Sequence, residues 1–170
     1  MKDELNEILD KYDEALAQEK KAQDDKESEF MQAFEGYLKI KKTVIRPALE
    51  GVTVILEKHH HGYNIVDREN TPSLTEDYRK GPFIGLEFFP FPYMRREFDE
   101  TSTPSIRFSP RLLSGVIVVY VCTNTPKEGG SSVREKKEFP INEITQDDIR
   151  QEVFSFIKKI FAILKKDRID

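Results

Sequence analysis

Apolar residues between Val44 and Gly62 recur at spacings of three and four, the spacing of one face of an α-helix. Pro47 removes a backbone donor and disfavours helical geometry at the residue before it, so a kink is expected near Pro47. Gly62 is expected to be the C′ residue that closes this helix in the left-handed conformation. The stripe predicts a helix packed on a core through Ile45, Ala48, Leu49, Val52, Ile55 and Leu56.

The chain before this helix is mostly polar and strongly acidic. Its first 30 residues hold five lysines and eleven acidic residues. Four apolar residues in this segment are spaced four, three and four positions apart, as in the seam of a coiled coil. The next positions at this spacing are occupied by polar side chains. This pattern predicts an acidic helical arm, residues 1–30, that projects from a single α+β domain, residues 31–170, and packs on its own neighbour or a second chain. A frayed, partly disordered tail is the alternative. The seam residues are Leu5, Leu9, Tyr12 and Leu16.

After Gly62 the period changes to two, which predicts strands over 63–68, 83–89, 105–109 and 115–122. The third strand alternates cleanly around Arg107, which implies one solvated face. The fourth is apolar throughout, so both of its faces are expected to be covered. Residues 123–137 are expected to form a mobile loop. Phe139 and Ile141 are placed on a last strand at a sheet edge, since Pro140 between them cannot donate to a ladder.

Thr145 and Asp148 have the spacing of a capping box and predict the start of a helix over residues 146–166. Together these elements predict an α+β fold. It consists of a long N-terminal helical segment kinked near Pro47, an antiparallel meander of four or five strands, and a C-terminal helix packed on the sheet. The expected stripe of that last helix is Ile149, Val153, Ile157, Ile160 and Leu164, widened by Phe154, Phe156 and Phe161.

Composition narrows the functional classes. The net charge of -4 gives no overall electrostatic footprint for nucleic acid, although a local basic patch is compatible with it. The single cysteine, Cys122, cannot form an intramolecular disulfide. The start of the chain does not resemble a signal peptide, and no apolar run reaches the roughly 18 residues that span a bilayer. We therefore expect a cytoplasmic protein that does not enter membranes.

Candidate chemistry is sparse, and no cofactor-binding or catalytic motif occurs in the sequence. Adjacent histidines on a helix point about 100 degrees apart, so His59, His60 and His61 are not expected to converge on a metal ion. Their positive character suits the end of a helix. Three polar residues could meet on one sheet face if their strands are neighbours, where ordinary cross-strand pairing is the simpler interpretation. These residues are Glu87, Arg107 and Tyr120.

Three functional hypotheses remain. The first is a non-catalytic interaction module that forms a homodimer, or binds an unidentified protein, through the arm or an uncovered sheet face. The second is a small-ligand or enzyme site between the sheet and the helices near His59, His60 and His61, drawing on the three polar sheet residues. The third is nucleic-acid binding through a local patch of Arg95, Arg96, Arg107 and Arg111, which the overall charge makes the weakest of the three.

Overall fold

The computed structural model describes residues 2–70, 81–92, 103–123 and 133–166. Within these residues, three helices and five strands follow one another in an α+β arrangement, as predicted. The five strands form one sheet in the order β1-β2-β3-β4-β5, with every neighbouring pair antiparallel. The elements are α1 (Lys2–Ile40), a π-helical turn (Lys41–Ile45), α2 (Arg46–Lys58), β1 (Gly62–Arg68), β2 (Phe83–Phe89), β3 (Ser105–Arg111), a 3₁₀ turn (Leu112–Ser114), β4 (Val116–Cys122), β5 (Val133–Pro140) and α3 (Gln146–Lys166).

The core lies between one face of the sheet and the three helices. Alternate residues of β2, β3 and β4 point into it, and they meet Tyr37 of α1 and the apolar stripes of α2 and α3. Ile55, which was expected to pack on the core with the rest of the α2 stripe, is instead 46% exposed, because it lies at the edge of that stripe. The strand residues of this core are Ile84, Leu86, Phe88, Ile106, Phe108, Ile117, Val119 and Val121.

The opposite face of β3 is less solvated than its alternation implied. Ser105 and Ser109 are both about 5% exposed, so the expectation of a wet face is wrong at these positions. Serine is short, and β3 lies between β2 and β4, whose outer-face residues Phe83 and Val118 are themselves buried. The apolar run of β4 is buried on both faces at every position after Val116, as predicted.

The junction of α1 and α2 is a π-helical turn that directly precedes Pro47. The N–H of Arg46 donates to the carbonyl of Lys41, five residues back, which is the π pattern. Proline cannot donate the next helical bond, so the disturbance predicted near Pro47 takes this form. The Thr43 hydroxyl donates to the Lys39 carbonyl at 2.9 Å beside the turn.

The end of α2 differs from the expectation for Gly62. The helix ends at Lys58, and His60, not Gly62, takes the left-handed conformation with φ 59°. Gly62 is already the first residue of β1, paired with Phe89, so the chain must turn earlier. A Cβ at Gly62 would lie 3.1 Å from the Cβ of Phe89, so the glycine permits a close approach between β1 and β2.

Strand β5 begins earlier than its sequence suggested. Val133 to Lys137 belong to the strand and not to the expected loop, whose remaining residues 124–132 lie outside the described part. The strand lies at a sheet edge, as predicted. Ile141 falls in the turn after the strand, where its N–H donates to the Gly115 carbonyl at 3.0 Å.

Helix α3 has the predicted bounds and the predicted cap. The Thr145 N–H donates to the Asp148 carboxylate at 2.9 Å, and the Asp148 N–H donates to the Thr145 hydroxyl at 3.2 Å. Of the three phenylalanines expected to widen its stripe, only Phe156 is buried. Phe154 and Phe161 are 48% and 39% exposed, because they lie on the flank of the helix.

Candidate functional site

The N-terminal half of α1 carries an exposed apolar stripe. Every residue from 5 to 29 is exposed, and Phe30 is the first buried residue after them in the helix. Four stripe residues are those of the predicted seam, and Ile8 joins them, since it lies three residues after Leu5 and four before Tyr12. The five residues, hereafter the arm stripe, are Leu5 (57% exposed), Ile8 (64%), Leu9 (49%), Tyr12 (61%) and Leu16 (45%).

The arm stripe lies on the same side of α1 as the residues that dock the helix on the core. Leu16 and Phe30 are separated by about four helical turns, and Tyr37 follows Phe30 by two more. Phe30 and Tyr37 are buried, and the Tyr37 hydroxyl donates to the Phe108 carbonyl at 3.0 Å. A molecule packed on the arm stripe would therefore lie on the side of the helix that faces the body.

The three polar sheet residues singled out from the sequence do share one face. Arg107 pairs with Tyr120 on one side and Gly85 on the other, and Glu87 is two residues beyond Gly85. The Glu87 carboxylate accepts a bond from the Asn64 amide at 3.0 Å. These contacts are cross-strand pairing of the expected kind, and a role in ligand binding stays a prediction.

The histidines lie on the opposite side of the sheet from those residues. His61 packs against Phe88, at 5.6 Å between ring centroids, and against Phe161 of α3, at 5.2 Å. Its Nδ1 accepts a bond from the Phe91 N–H at 3.0 Å, and burial lowers the pKa of His61. His59 and His60 are exposed. Within the described ranges, no three histidine, cysteine or acidic side chains are grouped as metal ligands would be.

A β-bulge in β5 changes which charges face the helices. Tyr120 pairs with Glu135 and Val119 with Lys137, so Lys136 is an extra residue in the strand. A bulge shifts the alternation of side chains by one position. Lys136 and Lys137 therefore both reach α3, where Glu152 lies 2.7 Å from the Lys136 ammonium and 3.6 Å from that of Lys137.

The acidic residues of the same strand turn to the other face. Glu135 and Glu138 both bind Arg111, the former at 3.0 Å. One strand thus presents cations to the helix layer and carboxylates to the outer face. This distribution also means that Arg111 of the predicted arginine patch is already paired with two carboxylates, while Arg95 and Arg96 lie outside the described residues.

The bulge borders a groove of about 220 Å³ between β4, β5 and α3. Val121 and Phe156 form its apolar floor, since both belong to the core. The groove lies at the β5 edge of the sheet, whereas the histidines follow α2 at the β1 edge. We call it the β5 groove; its polar lining is Thr123, Arg134, Glu135, Lys136, Ser155 and Lys159.

The sequence reasoning missed this groove because it placed residues 123–137 in a loop. The segment offered little signal, because Val133 is followed by five charged residues, 134–138, although charged side chains are common on edge strands. The bulge itself leaves no mark in the pattern, since it depends on the register with β4.

Cys122 is a free, buried residue at the end of β4, consistent with the structural role favoured for buried cysteines. No described helix has the length and apolar character that a bilayer span requires.

No family model matches the chain, and searches of the curated proteins and of the solved structures returned no match.

Proposed function

We propose that the chain is a non-catalytic interaction module that forms a homodimer through the arm stripe of each copy. The observation that carries this proposal is the stripe itself, five large apolar side chains that are each 45–64% exposed on one side of a helix. A contiguous apolar surface with a polar rim is typical of protein–protein contact sites. The free cysteine suits a reducing compartment, and we propose the cytoplasm as the location.

The expected affinity is modest. Burying a large apolar side chain completely contributes about 1.5 to 3 kcal/mol, so covering one that is half exposed contributes about 1 kcal/mol. Ten such side chains in a dimer give about 10 kcal/mol, against an association cost of at least 4 kcal/mol. This balance of about 6 kcal/mol or less corresponds to a dissociation constant of about 40 μM or weaker.

Charge gives the dimer a recognisable salt dependence. Each arm carries a net charge of about -6 over its first 30 residues, so two paired arms repel one another. Screening reduces that repulsion, because the Debye length falls from about 10 Å at 0.1 M salt to about 3 Å at 1 M. Dimerisation through the arms should therefore strengthen as salt is added.

Sedimentation equilibrium of the full chain from about 10 μM to about 500 μM, a range that brackets the expected dissociation constant, tests the proposal. The variant Leu9→Gln with Leu16→Gln removes two stripe residues without changing charge and is expected to be monomeric. A matched control is Val54→Gln with Ile55→Gln, which removes two apolar side chains of similar exposure, 52% and 46%, from α2. The control is expected to dimerise like the wild type.

The proposal fails if the full chain is a monomer throughout the series, or if the stripe variant and the α2 control lose dimer equally. A dimer that weakens as salt is added would also contradict it, since that dependence indicates pairing of opposite charges. A monomeric chain would direct attention to an unidentified protein partner for the arm stripe.

A further inference from the structure

We propose that the β5 groove binds a small organic anion, a phosphate or carboxylate group carried on a compact apolar body. This site is separate from the arm stripe and does not depend on dimerisation. The proposal rests on three features of the groove: uncompensated positive charge, a fixed lysine with an adjacent hydroxyl, and an apolar floor.

The positive charge of the groove exceeds its negative charge. Glu135 is engaged by Arg111, and the Glu152 carboxylate is engaged by Lys136. Arg134 and Lys159, on opposite walls of the groove, have no ion pair or hydrogen bond within the described part of the chain. Two unpaired cations across a small cleft favour an anion between them.

Lys136 is held in place by its surroundings. Glu152 is 8% exposed, and its carboxylate lies 2.7 Å from the Lys136 ammonium, which also donates to the Ser155 hydroxyl at 3.0 Å. Because the Ser155 oxygen accepts that bond, its own proton is free to donate to a ligand. The bulge is what directs Lys136 here, and bulges are frequent where a strand must re-aim a functional side chain.

The apolar floor and the volume of the groove limit the size and polarity of the part of the ligand that carries the anionic group. Val121 and Phe156 offer an apolar surface, so an anion with an attached apolar group gains contacts that a bare ion lacks. The groove of about 220 Å³ is smaller than the pockets of roughly 300 to 1,000 Å³ that hold drug-sized ligands. A ligand with one ring or a short chain beside its charged group fits this space.

The test is an amide NMR titration of the full chain with three probes of similar shape: phenyl phosphate, benzoate and benzyl alcohol. We expect saturable shifts at amides around Ser155 and Lys159 with the two anions, and none with the neutral alcohol. The more tightly bound anion identifies the charged group, since a dianionic phosphate engages two cations better than a carboxylate does.

Variants locate the binding. Lys159→Gln and Arg134→Gln should each weaken binding of the preferred anion by about tenfold, as loss of one charge-assisted hydrogen bond implies. The matched control is Lys158→Gln, which removes the same charge from an exposed position next to Lys159 but outside the groove. It is expected to leave the affinity within a factor of two of the wild type.

Four results would overturn the proposal. One is no saturable shift up to about 10 mM probe, a concentration that exceeds a millimolar dissociation constant. Another is equal affinity for benzyl alcohol and phenyl phosphate. The third is equal weakening by Lys158→Gln and Lys159→Gln, which would indicate attraction by net charge and not a site. Groove amides that shift with protein concentration alone would likewise overturn it, because the occupant would then be part of a second copy.

Discussion

Lys41 offers the sharpest test of how the helices are fixed to the sheet. It lies in the π-helical turn with its side chain only 5% exposed, and its ammonium contacts Asp67 at 2.7 Å and Glu69 at 3.0 Å. Arg46 also binds the Asp67 carboxylate. Asp67 is near the end of β1 and 17% exposed, so this cluster joins the turn between α1 and α2 to the first strand.

Replacing Asp67 by alanine leaves the Lys41 ammonium in a largely buried place. Removing one partner of a fully buried pair costs about 3 to 5 kcal/mol. Here Glu69 remains, but it is 74% exposed and compensates only in part, so we expect a loss of about 2 kcal/mol. Lys41→Met removes the buried charge itself and leaves Asp67 paired with Arg46, so the free energy of unfolding should fall by about 1 kcal/mol or less.

The assay is urea unfolding followed by circular dichroism, with equal slopes required for comparison. In the double variant, Lys41→Met with Asp67→Ala, the loss should fall short of the sum of the single losses by about 1 kcal/mol, because no buried charge is left unpaired. Asp147→Ala is the control, since it breaks an exposed pair with Arg150 and should cost only about 0.5 kcal/mol. Additive single losses, or an Asp67→Ala loss no larger than the control, would refute the reasoning.

Four further predictions concern local features. Gly85→Ala should lower the free energy of unfolding by about 2 kcal/mol, since its Cβ would lie 2.4 Å from a carbonyl oxygen of β3. Gly51→Ala, in open space on α2, should instead raise the free energy of unfolding by about 0.5 to 1 kcal/mol. Thermal melts that rank the two variants otherwise refute this. Thr145→Ala should cost about 1 kcal/mol by removing the cap of α3. Hydrogen bonds from Thr145 lower the pKa of Asp148. The stability that Asp148 contributes is therefore present above its pKa in the unfolded chain and is lost as pH falls through its pKa in the folded chain. Asp148→Asn should abolish this loss of stability in acid unfolding curves. Burial lowers the pKa of His61, so the unfolded chain binds a proton more readily at this histidine, and the stability of the fold falls as pH drops from about 6.5 towards the folded pKa. Proton NMR should find His61 titrating below pH 6.5. His61→Gln should remove this pH dependence of stability.

Much of the fold could be predicted because its signals are local. The stripe of α3 from Ile149 to Leu164 and the alternation of β2 each repeat within a few residues, and the Thr145 cap involves a partner three residues away. The predicted and observed elements differ mainly at their ends. At the end of α2, for example, the left-handed residue is His60 and not Gly62, because Gly62 already belongs to β1 and lies beside Phe89.

The candidate sites were less accessible to such reasoning. The arm stripe could be inferred, since its spacing is a property of one helix, and only Ile8 was overlooked. The grouping of Glu87 with Arg107 followed from the expected strand order. By contrast, the β5 groove requires knowledge of the register between β4 and β5, which local periodicity does not contain.

The sequence by itself therefore determined the three helices, four of the five strands, and the acidic arm with an apolar stripe along one side. It did not determine the start of β5 or the burial of the outer face of β3. Tertiary structure alone decided that Lys41 is buried beside an acid 26 residues away, that His61 and Glu87 lie on opposite sides of the sheet, and that the bulge at Lys136 turns basic side chains towards α3. The physical reason is the range of the interactions. Periodicity and capping act within one or two turns, whereas burial of a charge and the register of an edge strand depend on partners that only the folded chain brings together.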